Sequence, residues 1–365
     1  MRLPRPFARP RRGASAIEYG LLVGLIAVGA ILTVQQSGDR ISGLLATVSN
    51  EINSVEGAAV SGASGTGGSE SGASNNQPQL DGDLVLAPES NGNIQLVDSG
   101  DGSLSNTDSW PFTGHADDIR AFAADNDGNT YSGSEDATVR KIDAAGNEIW
   151  SFTEHTGMVR GLAVDHNGYV YSASNDQTVR KIDSDGNQVW SFTGHTHYAN
   201  DVAVDNSGNV YSAGNDNSVR KIDPDGNEVW SFTGHTNGVY AIALDAQGNV
   251  YSGSSDNTVR KISPDGDEIW SFTGHDSTIN AIIVGPNGYI YSTGYGKTVK
   301  KDSDGNEVWS FEEHSSTVWD LAIDADQNIY FAEYQGIGRK LDSSGSELWQ
   351  QDYGDQLRAI AVIAN

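Results

Sequence analysis

Residues 202–233, VAVDNSGNVYSAGNDNSVRKIDPDGNEVWSFT, contain the pattern that determines the fold of most of the chain. Turns rich in Gly, Asn and Asp separate four short runs of β-branched and aromatic residues, which predicts four β-strands. Repeats of about 40 residues with four strands each are typical of β-propeller blades. Tryptophan marks the repeat, at intervals of 40 residues with one of 39: Trp110, Trp150, Trp190, Trp230, Trp270, Trp309 and Trp349.

The number of strand-like runs predicts the number of blades. Runs equivalent to residues 202–204 and to residues 210–212 each occur seven times, and the series starts in the middle of a unit. The last run, residues 357–363, should therefore share a sheet with the first three strands, between Asp83 and Trp110, and remove the open edges. We predict that residues 81–365 form a seven-bladed β-propeller of four-stranded blades, closed by the N- and C-terminal strands.

The unit resembles two propeller families. Gly194-His195, Ser212, Asp216 and residues 218–220 resemble a WD repeat, while residues 208–211 and 226–230 resemble the quinoprotein-type repeat. The resemblance brings no cofactor, because the chain has no cysteine and no identifiable pterin or quinone clamp. The tryptophan of the WD signature is replaced by isoleucine in four units: Ile142, Ile182, Ile222 and Ile262.

A histidine, a serine and an aspartate recur at constant offsets and suggest a hydrolase triad at first sight. A catalytic triad is a single site with an oxyanion hole, whereas this set is repeated. We therefore interpret it as a structural hydrogen-bond network that joins loops to strands. The sets at His275 and His314 are incomplete, with Gly296, Phe331 and Gln335 at the matching positions. The complete sets are His115, Ser132, Asp136; His155, Ser172, Asp176; His195, Ser212, Asp216; and His235, Ser252, Asp256.

The acidic turns at residues 183–187, 223–227 and 302–306 have two possible roles. Their Asp-x-Asp-Gly sequence resembles part of a calcium loop but lacks the distal bidentate acid. As hairpin turns they need no metal. We favour turns and predict no metal site.

One position of the unit varies although the rest is nearly constant. It opens the first strand of each unit and should surround one end of the central channel. Arginine, asparagine and aromatic residues on an otherwise acidic chain, with a net charge of −27, have the composition of a binding surface. Neutral drift at exposed loop ends is the alternative. The predicted ligand ring is Arg120, Arg160, Asn200, Tyr240, Asn280, Trp319 and Arg358.

The N-terminal region has a different character. Five arginines precede residues 13–36, GASAIEYGLLVGLIAVGAILTVQQ, in which Glu18 is the only charged residue. About 20 apolar residues are enough to cross a bilayer as a helix, and the arginines should keep the N-terminus in the cytoplasm. A carboxylate inside a membrane costs on the order of 3 kcal/mol, so Glu18 should have a function.

This region resembles the Flp pilins of tight-adherence, type IVb pili: a basic leader, a glycine, then Glu-Tyr and an apolar helix. The resemblance implies cleavage by a prepilin peptidase between Gly13 and Ala14, with Glu18 and Tyr19 involved in assembly. In a polymer, Glu18 could meet the freed amino group of Ala14 in a neighbouring subunit. A signal peptide or plain signal anchor is the alternative, although the run is longer than a typical signal-peptide core.

These observations divide the chain into four parts. Residues 1–13 are a leader, residues 14–56 a pilin helix with a transmembrane segment at 14–36, and residues 57–80 a flexible Gly/Ser-rich linker. Residues 81–365 are the propeller. The absence of cysteine excludes disulfides and thiolate chemistry, and the acidic charge disfavours nucleic acid as a partner.

Two functions follow from this organisation. The first is a Flp/Tad pilus subunit that displays a propeller for adhesion or ligand binding; it would work with a prepilin peptidase, the pilus assembly machinery and other pilin subunits. It would pass from the inner membrane to an extracellular filament and bind an unknown surface ligand. The second is a membrane-anchored sensor or scaffold that does not polymerise. An enzyme ranks third, and we predict no catalytic residues and no cofactor.

Overall fold

The computed structural model describes residues 84–88, 94–104, 112–125 and 127–362, with only the backbone described for residues 84–88 and Leu96. All regular structure in these residues is β-strand, and the described part lies in one compact unit, Asn76–Asn365. The predicted leader, pilin helix and linker lie outside the described residues.

Six antiparallel sheets of four strands form the blades, in chain order. Blade 1 has β1 to β4 at Ile119–Ala124, Thr130–Ser134, Val139–Ile142 and Glu148–Phe152; blade 2 has β5 to β8 at Val159–Val164, Val170–Ser174, Val179–Ile182 and Gln188–Phe192; blade 3 has β9 to β12 at Ala199–Val204, Val210–Gly214, Val219–Ile222 and Glu228–Phe232.

The second half of the chain repeats this arrangement. Blade 4 has β13 to β16 at Val239–Leu244, Val250–Ser254, Val259–Ile262 and Glu268–Phe272; blade 5 has β17 to β20 at Ile279–Val284, Ile290–Gly294, Thr298–Lys301 and Glu307–Phe311; blade 6 has β21 to β24 at Val318–Ile323, Ile329–Glu333, Ile337–Leu341 and Glu347–Asp352.

A seventh sheet, here named the closing sheet, has three strands from the two ends of the domain. Leu84–Pro88 lies between Gln95–Val97 and Leu357–Val362, and both pairings are antiparallel. The prediction of seven four-stranded blades is therefore wrong: the described residues form six four-stranded blades and this closing sheet. The sequence of this unit departs from the repeat around Trp110, where Asp108-Ser109 takes the place of Glu-Val and Pro111 follows the tryptophan; both changes disfavour a strand.

Burial decreases outward across each blade. First strands of neighbouring sheets contact one another around the channel, every residue of the second strands is buried, and the fourth strands are mostly exposed. The apolar core lies between adjacent sheets, as where Tyr131 and Val139 of blade 1 pack with Val170 and Ile182 of blade 2. Each blade therefore depends on its neighbours for stability.

The repeated tryptophan joins each blade to the next. Trp230 Nε1 donates to the carbonyl oxygen of Pro264 at 3.0 Å, and Lys221 Nζ donates to the same oxygen at 3.1 Å. Blade 6 makes the same pair of hydrogen bonds to the segment beside the closing sheet: Trp349 Nε1 and Lys340 Nζ donate to the Ser99 carbonyl at 3.2 and 2.9 Å. The 40-residue interval is thus the spacing of an inter-blade contact.

Glycine is required in the turn between the third and fourth strands, where the chain approaches the tryptophan of the preceding blade. Gly226 has a φ of +92°, and a Cβ there would lie 3.0 Å from the Trp190 ring of the preceding blade. Both the left-handed backbone and the close approach favour glycine.

Candidate ligand-binding site

The seven residues of the predicted ligand ring all occupy the second position of an innermost strand, in the six blades and in the closing sheet. Together they line one cavity of about 90 Å³ at one end of the channel. In each sheet the pairing register skips this residue, as between Ile119 and Ala121 around Arg120. Such β-bulges redirect a side chain, which explains how one position in each sheet reaches the channel.

A deeper layer of the channel is formed by the next residues of the same strands. This larger cavity has a volume of about 220 Å³. Asp201 and Asp320 lie here, where the other sheets have alanine or glycine. Asp201 accepts backbone N–H bonds from Ile242 at 2.9 Å and Val202 at 2.8 Å, and Asp320 makes the equivalent pair of bonds. Burial raises the pKa of both carboxyl groups to about 7.

One half of the ring is cationic. Arg358, Arg120 and Arg160 come from the closing sheet, blade 1 and blade 2, which are consecutive around the channel, and Trp319 of blade 6 adjoins them. These four residues, with Met158, Thr317 and Tyr334, line a cavity of about 440 Å³. The Arg358 guanidinium lies 4.8 Å from the Trp319 ring centroid and 4.9 Å from that of Tyr334.

Three of the ring side chains bond to the residue 15 positions later in their own blade. Arg120 Nε donates to Glu135 Oε1 at 2.6 Å, and Arg160 Nε donates to Asn175 Oδ1. Asn200 Nδ2 likewise donates to Asn215 Oδ1 at 2.8 Å. Because Asn175 is neutral, Arg160 forms no ion pair among the described residues. Burial lowers the pKa of Arg160, and Arg120 lowers it further.

Two buried polar atoms of the ring have no hydrogen-bond partner among the described residues: Asn200 Oδ1 and Trp319 Nε1. Asn200 as a whole is only 4% exposed. Most buried polar atoms in proteins are paired, so atoms left over at a cavity are consistent with a polar ligand. The ring's assignment as a ligand site stays a prediction.

The repeated histidine sets form complete hydrogen-bond networks. In blade 3, His195 Nε2 lies 2.8 Å from Ser212 Oγ, and His195 Nδ1 lies 3.1 Å from Asp216. Burial alone would raise the pKa of Asp216, but hydrogen bonds from His195 and Ser218 lower it well below its usual value. Blades 1, 2 and 4 repeat the arrangement. All four serines are fully buried, so their hydroxyls cannot meet a substrate.

Blades 5 and 6 alter this network in different ways. In blade 5, Lys301 Nζ donates to Ser292 Oγ at 2.7 Å, and that oxygen also lies 2.7 Å from His275 Nε2. In blade 6, Glu333 supplies the carboxylate, at 2.9 Å from both His314 Nδ1 and Arg339 Nε. Sequence reasoning missed both residues, because Lys301 replaces a repeated isoleucine outside the network and Glu333 lies two residues before the position of the network aspartate.

The acidic turns use their carboxylates internally. Asp183 Oδ1 accepts the backbone N–H groups of Asn187 at 2.8 Å and Asp185 at 3.0 Å, and the bond from Asn187 contributes most to a lowered pKa of Asp183. This is the bonding of an Asx turn. Three carboxylates, Asp117, Asp118 and Glu135, also lie near one another, but Arg120 is close to the last two.

The predicted cleavage site, Gly13 and Ala14, and the predicted assembly residues, Glu18 and Tyr19, lie outside the described residues. Among the residues that the structure does describe, no helical segment has the length and hydrophobicity needed to span a bilayer.

The fold and its repeated networks define a WD-repeat-like β-propeller. A solved structure, the crystal structure of the WD40 β-propeller domain of Doa1, matches with a TM-score of 0.65 and 19% identity, covering 72% of this chain and 90% of that chain. At this identity the similarity shows the fold alone. The model of the WD domain, G-beta repeat, matches residues 106–143.

The family model described as outer membrane protein assembly factor BamB matches residues 135–254 and 255–364. These two matches cover more than half of the sequence, and the chain belongs to this propeller family. The Flp/Fap pilin component model matches residues 7–52. The protein is thus a fusion of a Flp-type pilin segment with a WD-repeat and quinoprotein-like β-propeller. No curated protein matches the chain.

Proposed function

We propose that the protein is a subunit of a type IVb (Flp/Tad) pilus that displays its propeller on the filament for adhesion or ligand binding. The observation that carries this proposal is the pilin match at residues 7–52 in the same chain as a propeller with a ring of polar and aromatic residues at one channel end. The first supplies a means of assembly and the second a means of recognition.

The assembly step depends on two residues of the N-terminal region. Cleavage after Gly13 would leave Ala14 with a free amino group, and Glu18 would be the fifth residue of the cleaved chain. Pairing that carboxylate with the amino group of a neighbouring subunit would remove two isolated charges from an apolar environment. Glu18 would therefore favour lateral assembly over simple anchoring.

The remaining partners follow from the pilin family. The chain would be inserted in the inner membrane with its N-terminus in the cytoplasm, processed by a prepilin peptidase, and then moved by the pilus assembly machinery into an extracellular filament of pilin subunits. The 24-residue Gly/Ser-rich linker has a reach of roughly 25 to 30 Å as a flexible coil, enough to hold a propeller away from the filament wall.

The alternative function is a membrane-anchored sensor or scaffold that never polymerises. The apolar run at residues 14–36 would serve as an anchor in this case as well. An enzymatic function has less support than either of these, because the repeated serines are buried and the networks recur in four blades. We assign no catalytic residue and no cofactor.

Replacement of Glu18 with alanine separates the two functions. In cells that produce the protein, Glu18→Ala should abolish filaments that contain the chain while the protein remains in the membrane, as judged by shearing and immunoblotting. A ring variant, Arg160→Gln, should leave filaments intact and reduce surface attachment. Normal filaments from the Glu18→Ala chain would contradict the proposed assembly role of Glu18.

A further inference from the structure

The three ring arginines are exceptions to the repeat. Residues 81–365 contain eight arginines, and the other five occupy the third strand of a blade. Each of those five forms an ion pair with a carboxylate of its own blade, as Arg140 does with Glu148. The arginines that do not belong to this repeated pattern all lie in the ring.

The charge at this end of the channel is not fully compensated. Two carboxylates, Glu135 and Asp118, lie beside Arg120, whereas Arg160 contacts the neutral Asn175 and forms no ion pair among the described residues. Below the ring, Asp201 and Asp320 have a raised pKa of about 7, caused by burial, so their negative charge is partly removed at neutral pH. A strongly acidic protein therefore has a local cationic site.

The neighbouring cavity has the size and lining of a small-ligand site. Its volume of about 440 Å³ lies within the usual range of roughly 300 to 1,000 Å³. Trp319 and Tyr334 provide apolar walls and hold Arg358 over their rings. Trp319 Nε1 is buried and has no hydrogen-bond partner among the described residues.

We propose that this cationic half of the ring binds an oxyanion group, a carboxylate or a phosphate, and that Arg160 is its main anchor. Guanidinium groups match the planar geometry of carboxylates and phosphates and donate charge-assisted hydrogen bonds to them. Arg358 and Trp319 line the same cavity. The inference rests on the proposed use of the propeller as a binding module and adds the chemical class of its ligand.

Isothermal titration calorimetry on the full-length protein in a non-ionic detergent tests this inference. The probes are glucuronate, glucose 6-phosphate and uncharged glucose, which share a sugar ring and differ in the anionic group. At least one anionic probe should bind at least about tenfold more tightly than glucose, and its binding should weaken as ionic strength rises. The probe that binds identifies the oxyanion. Failure of both anionic probes to bind would overturn the inference.

Three variants assign the site. Arg160→Gln should weaken binding about tenfold or more, and Arg140→Gln, which changes the net charge equally but lies away from the cavity, should not change it. Glu135→Gln should tighten binding severalfold, because it removes the nearer of the two carboxylates that pair with Arg120 and compete with the ligand. Equal losses from Arg160→Gln and Arg140→Gln would overturn the assignment.

The variants also separate this inference from the proposed pilus function. Tryptophan fluorescence during urea unfolding checks that each variant is folded, and Glu135→Gln still tests the site if Arg160→Gln is not. A protein that forms filaments but binds neither anionic probe refutes the ligand class alone. A protein that binds an anion but never assembles refutes the pilus function alone.

Discussion

Replacing Lys301 with isoleucine should stabilise the propeller at neutral pH. Lys301 is fully buried and pairs in register with Ile290, whereas the equivalent residue in blade 4, Ile262, pairs with Val250. Its amine has one hydrogen bond, to Ser292 Oγ, and lies 4.0 Å from the Phe272 ring centroid. An isoleucine would fill this site as it does in blades 1 to 4.

The magnitude follows from the shifted pKa. Burial lowers the pKa of Lys301 from 10.5 to about 7, and each unit corresponds to about 1.4 kcal/mol. The variant also loses the bond to Ser292, worth about 1 kcal/mol. We therefore expect a net stabilisation on the order of 2 to 4 kcal/mol at pH 7.

The effect should depend on pH. Between pH 7 and 10.5 the unfolded chain binds more protons than the folded chain, so wild-type stability rises with pH across this window, by at most about 1.4 kcal/mol per pH unit. The variant lacks this contribution, and its advantage should shrink toward pH 10.

Urea unfolding of the full-length protein, followed by tryptophan fluorescence, measures both effects. All eight tryptophans lie in residues 110–349, so the signal reports the propeller. Ile262→Lys in blade 4 is the reciprocal control and should destabilise the protein most at pH 7. A Lys301→Ile variant that is less stable than wild type at pH 7 would contradict the destabilising role of the buried amine. The same would follow from an equal change in the free energy of unfolding at pH 7 and pH 10.

Two further predictions concern the channel and the turns. Because burial raises the pKa of Asp201 and Asp320 from 3.8 to about 7, the folded chain binds more protons between these values, and stability falls as pH rises from 4 to 7. The Asp201→Asn/Asp320→Asn variant should be more stable than wild type at pH 8 and similar at pH 4 in urea unfolding; a constant difference would contradict this. Gly226→Ala should destabilise the protein by more than about 1 kcal/mol, because the new Cβ would contact the Trp190 ring. Gly288→Ala has a similar backbone cost but open space around it, so it should destabilise less. Equal thermal midpoints for the two variants would contradict the contact.

The repeat could be predicted from sequence because the residues that form the strands of a blade also form its contacts with the next blade. Trp230 marks the outer strand and also bonds to the next blade, so its 40-residue spacing reports the architecture directly. The ring could be found as well, because a position that varies among near-identical units is visible in a single sequence. Its β-bulges were not predicted, since they depend on pairing register rather than on composition.

The errors arise where register or long-range pairing decides the outcome. Counting apolar runs treated the closing sheet as a complete four-stranded blade, whereas three strands are described in it. Blade 5 lacks one residue between His275 and Lys301, so an offset counted from the histidine places Asp302 instead of Lys301 at the buried isoleucine position. In blade 6 the position of the network aspartate is occupied by Gln335, and Glu333, two residues earlier, supplies the carboxylate.

N-terminal sequencing of the protein from sheared surface filaments tests the pilus proposal most directly. We expect a chain that begins at Ala14, which would show both processing after Gly13 and export into a filament. Recovery of the chain only from membranes, unassembled and with Arg2 to Arg12 still attached, would contradict it.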